Sequence, residues 1–245
     1  MKRKSIIIGG IVVGILLCLF LYWFYFSDPD AVLTKEKAAE GIGQTFPDVE
    51  VDAIQDVIMV DRKHAFVPFV SKRNEYSMSF WVWENHAWKA DSLHSNGEPY
   101  LWKVKNDPAA HYIVWNIHPD DQVADMRLYF IRERGYNISD EEERYAPRVQ
   151  LEKRVDLRER LYGASAFSDE WLAVMEEMEA VELKRDSVFD DFLSGQETMY
   201  IGWSSYDSAG KQMFPEQFMN NSEYVNGNER IEFIRFLQEE REIEE

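Results

Sequence analysis

The sequence predicts an α+β protein in which one transmembrane helix precedes an external domain built from an antiparallel β-meander and packed helices. Three observations carry this prediction: an uncharged apolar run, a long stretch of twofold alternation, and a return to helical spacing after residue 135. The predicted divisions are a stub and anchor over residues 1–30, a helix plus meander over residues 31–135, and a helix-rich part with a β-hairpin over residues 136–245.

The apolar run over residues 6–26 is long enough to cross the ~30 Å hydrocarbon core as a helix. Three basic residues precede it over residues 2–4, and Asp28 and Asp30 follow it. Because positive charge stays on the cytoplasmic side, the N-terminus should be cytoplasmic and the rest extracytoplasmic. A cleaved signal peptide fits less well, since its apolar region is shorter and ends at a small-x-small site. The expected location is therefore the cell membrane, as a single-pass signal-anchor protein.

Gly10 and Gly14 form a GxxxG pair inside this run, a pattern that lets two membrane helices approach closely. The pair predicts a homodimer through the transmembrane helix. An ordinary lipid-facing helix is the alternative, because glycine is frequent in membrane helices.

Composition restricts the partners of the chain. Its formal net charge is −18, and 45% of its residues are hydrophobic, which predicts a packed acidic globule. An acidic exterior repels nucleic acid, so no nucleic-acid partner is expected. Cys18 is the single cysteine and lies in the apolar run, so the external part has no disulfide. A domain of this size outside the cell without a disulfide indicates a bacterial cell envelope.

The external part begins with a helix and continues with strands. Thr34 is a predicted N-cap for a helix over residues 35–46, although Gly41 and Gly43 weaken it. Alternating apolar residues joined by short polar connectors then predict an antiparallel meander. The predicted strands cover residues 49–60, 64–70, 76–83, 87–93, 100–104, 111–117 and 126–132. A helix followed by a curved meander resembles the element order of cystatin-like and NTF2-like domains, a likeness that carries no function.

Helical spacing is the main prediction after residue 135. Helices are expected from Ser139, from Ser168, over residues 188–195 and from Asn228 onward. Residues 148–162 fit either a strand or a helix. A hairpin is expected over residues 198–206 and 211–214.

The sequence contains weak candidates for metal chemistry. No zinc signature is present, and the histidines are spaced too widely within their predicted strands to share an ion. Asp120, Asp121 and Asp125 form the nearest match to a calcium loop, but the EF-hand order and its glycine are missing. A polar hairpin loop explains these residues equally well. No other cofactor is predicted.

The sequence also contains no complete motif for a catalytic nucleophile. Ser208 and Lys211 match S-x-x-K, but they fall in a predicted turn and the companion S-D-N and K-T-G motifs are absent. Paired carboxylates cannot be picked out among 45 Asp and Glu residues. The sequence therefore favours a chain that is not an enzyme.

The concentration of tryptophans is the remaining feature with a functional meaning. Trp81, Trp83, Trp88 and Trp102 could line a groove for a sugar chain or a peptide. The alternative is that these side chains form the core of the meander, which is the commoner role of large aromatics.

Two hypotheses about function follow. In the first, the chain is a membrane-anchored, non-catalytic module that binds a protein, a peptide or a cell-wall polymer. In the second, it is an envelope hydrolase that uses acidic residues. A cleft gathering a histidine with two carboxylates would favour the hydrolase, whereas a shallow aromatic groove would favour binding.

Overall fold

The fold was described from a computed structural model, which covers residues 2–29, 31–139, 142–182, 199–217, 224–225, 227, 230–238 and 242–243. The described helices are α1 (Lys2–Phe26), α2 (Lys35–Thr45) and α3 (Asp169–Glu182). The first eight strands are β1 (Val51–Ile54), β2 (Ile58–Met59), β3 (His64–Ser71), β4 (Tyr76–Glu84), β5 (Ala87–His94), β6 (Tyr100–Lys103), β7 (His111–Asn116) and β8 (Asp125–Arg132). The remaining strands are β9 (Gly135–Ser139), β10 (Glu142–Ala146), β11 (Val149–Asp156), β12 (Tyr162–Ala166), β13 (Met199–Tyr206), β14 (Gln212–Met213), β15 (Tyr224–Val225), β16 (Arg230–Phe233) and β17 (Arg235–Phe236).

The N-terminal helix corrects the prediction of a membrane anchor. Within the described part of the chain, no helix combines the length and the apolar character that a membrane crossing requires. The predicted single-pass anchor, and the cell-membrane location that was predicted from it, are therefore wrong.

Three stacked sheets replace the single meander that the alternation predicted. The front sheet has the order β1-β3-β4-β5-β15, with β2 also paired to β3. The middle sheet has the order β12-β7-β6-β16, and the back sheet the order β11-β8-β13-β14, with β17 parallel to β13. Strand accounts for 43% of the described residues and helix for 23%, so this part of the chain is mostly β. The predicted α+β class and the cystatin-like or NTF2-like order are therefore wrong.

Individual strands of the first half lie where the alternation predicted them, from β3 through β8. Their distribution is what differs, because β6 and β7 leave the front sheet for the middle one and β8 lies in the back one. The chain thus forms successive layers instead of extending one sheet.

Among the described residues of the predicted helix-rich second half, strand exceeds helix. In place of the helix expected from Ser139, Gly135–Ser139 and Glu142–Ala146 pair as the β9–β10 ribbon, and Arg230–Phe233 and Arg235–Phe236 form β16 and β17 in place of a final helix. In β16, Ile231 and Phe233 alternate against Trp102 and Tyr100 of β6. The helix expected from Ser168 is confirmed as α3, whereas the one expected over residues 188–195 lies outside the described residues. Strands of this half also join the first half, since β12 pairs with β7 and β15 with β5.

The front sheet is covered on both faces. On its outer face α2 packs through Ala38 and Ile42 against Trp81. On its inner face Phe66 and Phe80 pack against side chains of the middle sheet, among them Trp102. This arrangement explains a strand with apolar residues on both sides, because neither face of β4 meets water.

The middle and back sheets enclose the largest cluster of buried side chains. Trp115 of β7 and Phe130 of β8 belong to it, together with Trp203 of β13. The helix α3 extends this core, since Trp171 lies 5.7 Å from Phe130, ring centroid to ring centroid. The central strands of the middle sheet, β6 and β7, are therefore buried on both faces.

A glycine on α2 permits the contact with the front sheet. A Cβ built on Gly41 would lie 2.5 Å from Cη2 of Trp81, whereas one on the exposed Gly43 would have nothing within 4 Å. The two glycines that seemed only to weaken the helix therefore differ in role.

We expect Gly41→Ala to destabilise the fold by about 1–3 kcal/mol through overpacking. Gly43→Ala should stabilise it by ~0.5–1 kcal/mol, because alanine has the higher helix propensity and no neighbour resists it. Denaturant unfolding of the two variants beside the unchanged chain measures both effects. Equal shifts for the two variants would contradict this account of Gly41.

A buried histidine lies between the front and middle sheets. The His94 ring packs edge-on against Tyr100, with 4.5 Å between centroids, and lies 5.6 Å from the ring of Phe80. Burial disfavours the charged imidazolium and lowers the pKa of His94 to about 4.

This lowered pKa predicts a pH-dependent stability. An unfolded histidine titrates near ~6.5, so the folded state binds fewer protons below that pH. His94 therefore makes its full contribution to the free energy of unfolding above pH ~6.5. This contribution is lost as the pH falls toward the pKa of His94 in the folded state. We expect the free energy of unfolding to fall by about 1 kcal/mol more between pH ~7.5 and ~5.5 in the unchanged chain than in His94→Phe. Denaturant titrations at both pH values measure this difference.

His86→Asn serves as the control for this prediction. His86 is half-buried in the β4–β5 turn with a φ of 60°, a left-handed backbone that asparagine tolerates. This variant should keep the pH dependence of the unchanged chain. An unaltered dependence in His94→Phe would mean that other groups cause it.

Candidate functional site

Two neighbouring depressions share Tyr76, the first residue of β4, and are together called the Tyr76 cleft. The first has a volume of about 250 Å³ and the second about 370 Å³. The first is lined by Arg73, Asn74, Glu75, Tyr76, Asn96, Gly97, Asn116, His118, Asp120 and Gln217. The second is lined by Gln55, Tyr76, Pro119, Arg158, Glu159, Arg160, Leu161 and Tyr162. Turns from all three sheets therefore meet at this cleft.

His118 is held in one orientation in the first depression. It precedes the short turn Pro119–Asp121, and its Nδ1 accepts the backbone N–H of Asp120 at 3.1 Å. Its Nε2 lies 3.1 Å from the side-chain nitrogen Nδ2 of Asn74. The Tyr76 ring packs edge-on against His118 at 4.6 Å.

The turn between β3 and β4 brings Asn74 to this histidine. Asn74 has a φ of 63°, a left-handed conformation that asparagine adopts more readily than most residues. The Ser71 hydroxyl fixes the same turn by accepting the backbone N–H groups of Arg73 and Glu75. The sequence thus places an asparagine where the turn requires one.

Asn116 connects the middle sheet to the front sheet. Its Nδ2 donates to Oε1 of Gln55 at 2.7 Å, to the carbonyl of Ser77 at 2.8 Å and to the carbonyl of Phe69 at 3.2 Å. Three acceptors around one nitrogen fix the orientation of the amide. The opposite oxygen, Oδ1, is buried and has no hydrogen-bond partner among the described residues.

Gly97 lets the backbones of the front and middle sheets approach each other closely. Its carbonyl accepts the backbone N–H of Asn116 at 2.8 Å. A Cβ at position 97 would lie 1.9 Å from the carbonyl oxygen of Asn116 and 2.6 Å from that of Tyr76, so only glycine fits. The connection from β5 to β6 therefore passes directly over the first depression.

Carboxylates line the first depression, with a further one beside it. Oε2 of Glu75 accepts the Ser71 hydroxyl at 3.0 Å. The Asp120 side chain is 73% exposed, and its Oδ2 lies 3.8 Å from Nδ1 of His118. Next to it, Asp121 is buried and accepts the backbone N–H of Gln217 at 3.2 Å. Burial raises the pKa of Asp121.

Guanidinium groups line the second depression. Arg158 pairs with Asp156, and Arg160 lies 3.7 Å from a carboxylate oxygen of Asp56. The Arg160 guanidinium also lies 5.3 Å from the centroid of the Tyr162 ring. Both arginine side chains are more than half exposed. The lining of the first depression therefore includes carboxylates, whereas the second has guanidinium groups that lie beside acidic side chains.

The predicted tryptophan groove lies elsewhere and is covered. Trp81, Trp83 and Trp102 are buried in the core. Trp88 is half-buried, and its Nε1 donates to the carbonyl of Ala31 at 2.7 Å. The covering of Trp81 comes from α2, which precedes the sheet in the chain.

The predicted calcium ligands are not brought together. Asp120 points to solvent and Asp121 is buried under Gln217, while Asp125 pairs with Arg154 across β8 and β11. Among the described ranges, no group of three His, Cys, Asp or Glu residues is arranged to hold a metal ion.

The predicted dimerisation residues lie on the open surface of α1. Gly10 and Gly14 are both exposed, and a Cβ built on either would have nothing within 4 Å. The homodimer stays a prediction.

Sequence reasoning missed most of the Tyr76 cleft. It placed Asp120 in a polar loop but connected it neither to Asn74 nor to Asn116. The one local signal was the asparagine and glycine in the two turns at residues 72–74 and 95–97, which indicates tight turns without showing that they meet.

Comparison with known proteins gives no relative: no protein-family profile, curated protein or solved structure matches this chain.

Asn116→Ala should destabilise the fold by about 1–3 kcal/mol, because the buried hydrogen bonds that its amide makes to Phe69 and Ser77 of the front sheet would be lost. Asn106→Ala is the control, since Asn106 accepts only an exposed hydrogen bond from Arg230. Denaturant unfolding of both variants measures the difference. A loss for Asn116→Ala no larger than that of the control would show that Asn116 does not hold the sheets together.

Proposed function

We propose that the chain is a non-catalytic binding module that holds an extended peptide segment in the Tyr76 cleft. The observation that carries the proposal is the pair of polar depressions joined through one aromatic side chain. Such an arrangement suits a ligand that crosses Tyr76 and places one group on each side of the ring.

The charges of the cleft favour a peptide over a neutral polymer. The first depression is lined by Glu75 and Asp120 with Arg73, and the second by Arg158 and Arg160 with Glu159. A neutral glycan would desolvate these groups without returning an opposite charge, which costs free energy. A peptide supplies cationic and anionic groups on one backbone, so it compensates both ends.

A hydrolase is the second candidate, because the first depression gathers His118 with two carboxylates, Glu75 and Asp120. The positions of these residues, however, do not suit catalysis as well as their chemical types do. His118 is only 7% exposed, and its Nδ1 accepts a backbone N–H while Nε2 faces Asn74. A general base must reach its proton at ~2.6–3.2 Å, and neither nitrogen is turned toward the space of the depression. Binding is therefore the function that this site supports best.

The test is an array of capped hexapeptides, with neutral glucose and N-acetylglucosamine oligomers beside it, probed with the full chain. We expect a subset of peptides to bind with a Kd below ~1 mM. Binding should be lost in Tyr76→Ala and kept in Tyr145→Ala, whose side chain is 66% exposed on β10. Mass spectrometry of the bound peptides distinguishes binding from cleavage.

Three results would overturn the proposal. Binding of the oligosaccharides alone would show that the ligand of the cleft is a glycan and not a peptide. Peptide binding that survives Tyr76→Ala would place the site elsewhere on the chain. Cleavage of bound peptides that is abolished in His118→Gln would establish the hydrolase instead.

A further inference from the structure

The first depression of the Tyr76 cleft presents acceptors that the described residues leave without a basic partner. Glu75 accepts only the Ser71 hydroxyl, and Asp120 approaches only His118, at 3.8 Å. Neither carboxylate forms an ion pair with a lysine or arginine in the described part of the chain. Carboxylates in this state are suited to a cationic donor from outside.

A second and independent observation concerns Asn116, which lines the same depression. Its side chain is fully buried, yet its Oδ1 has no hydrogen-bond partner among the described residues. Rotating the amide would not help, because the three acceptors around Nδ2 would then face an oxygen. A buried acceptor without a donor is costly, and a ligand that supplies the donor recovers that cost.

The lining of the depression therefore combines two carboxylates with Asn116, whose buried Oδ1 is unsatisfied among the described residues. An ammonium group has donors and no acceptor, so it matches these groups in charge and in hydrogen-bonding character. A guanidinium group is planar and broader, and Arg73 already lines the same space. The formal net charge of −18 adds a long-range attraction for a cation.

We propose that the first depression receives the ammonium group of a lysine side chain, and that the peptide bound in the Tyr76 cleft presents such a lysine. This inference rests on the proposed function. A lysine suits the site better than an amino sugar, because its slender alkyl stem can enter beside Tyr76 toward buried Asn116 without bringing a ring along. The guanidinium groups of the second depression disfavour a second cation there.

The experiment is a calorimetric titration of the full chain with two capped tripeptides, acetyl-Gly-Lys-Gly-amide and the same peptide with Nε-acetyl-lysine. The first should bind about tenfold more tightly, because acetylation removes the charge and two of the donors. Added salt should lower the affinity for the first peptide and leave the affinity for the second peptide unchanged.

Matched variants test whether the carboxylates of the first depression bind the lysine peptide. Glu75→Gln and Asp120→Asn should each reduce the affinity for the lysine peptide about five- to tenfold. Glu84→Gln removes the same charge at the other end of β4, where Glu84 pairs with Lys89, and should leave the affinity unchanged. All three substitutions preserve shape, and unfolding curves check that each variant is folded.

Each remaining result overturns this inference in a distinguishable way. Equal affinity for the two tripeptides, beside Tyr76-dependent binding of other peptides, would refute the ammonium site and leave the binding module intact. Binding of glucosamine but not of the lysine peptide would assign the site to an amino sugar. Absence of any Tyr76-dependent peptide binding would refute the proposed function together with the inference.

Discussion

The amide of Asn116 is the contact on which the arrangement of the first two sheets depends. It lies on the middle sheet, but its nitrogen donates to backbone carbonyls of β3 and β4 in the front sheet. Its own backbone N–H binds Gly97 in the connection between those sheets. Because hydrogen bonds made by a buried amide require a defined geometry, these contacts fix the position of one sheet against the other. The floor and rim of the first depression are set by that position.

Burial of the central strands of the middle sheet on both faces explains their aromatic residues. The strands β6 and β7 fill two interlayer spaces, one toward Phe80 and one toward Phe130. Packed sheets lie ~10 Å apart, and aromatic side chains are large enough to fill the space between them. Glycine relieves the crowding where rings meet backbone: a Cβ on Gly163 would lie 2.6 Å from the ring of Trp115. The tryptophans that resembled a binding groove are thus required by the layers.

Glu75 and Asp120 of the first depression form no ion pair with a lysine or arginine among the described residues. Some exposed carboxylates elsewhere do, as Glu50 faces Lys72 at 2.8 Å. Such exposed pairs contribute little to stability. In the cleft, the carboxylates of one depression are separated from the guanidinium groups of the other by the ring of Tyr76. The acidic character of the whole chain is consistent with a site whose deeper end attracts a cation.

The sequence by itself determined the local elements whose signals are strong. Twofold alternation placed β3 to β8, Thr34 placed the start of α2, and Ser168 that of α3. Short apolar runs such as Ile231 and Phe233 fit a helix or a strand equally well, so only pairing with β6 decided them. The apolar run in α1 was sufficient to predict a membrane anchor, and the described helix does not support one.

Only the tertiary structure decided which strands share a sheet and which side chains share a cleft. The alternation of β6 and β7 is the same whether they extend the front sheet or cover it, since both arrangements bury one face and then the other. Asn74 and His118 are 44 residues apart in sequence, and no local pattern relates them. Their contact follows from the stacking of the layers, which depends on complementary side-chain volumes and on the amide of Asn116. Sequence periodicity reports which face of a strand is apolar, but it contains no information about the partner that covers that face.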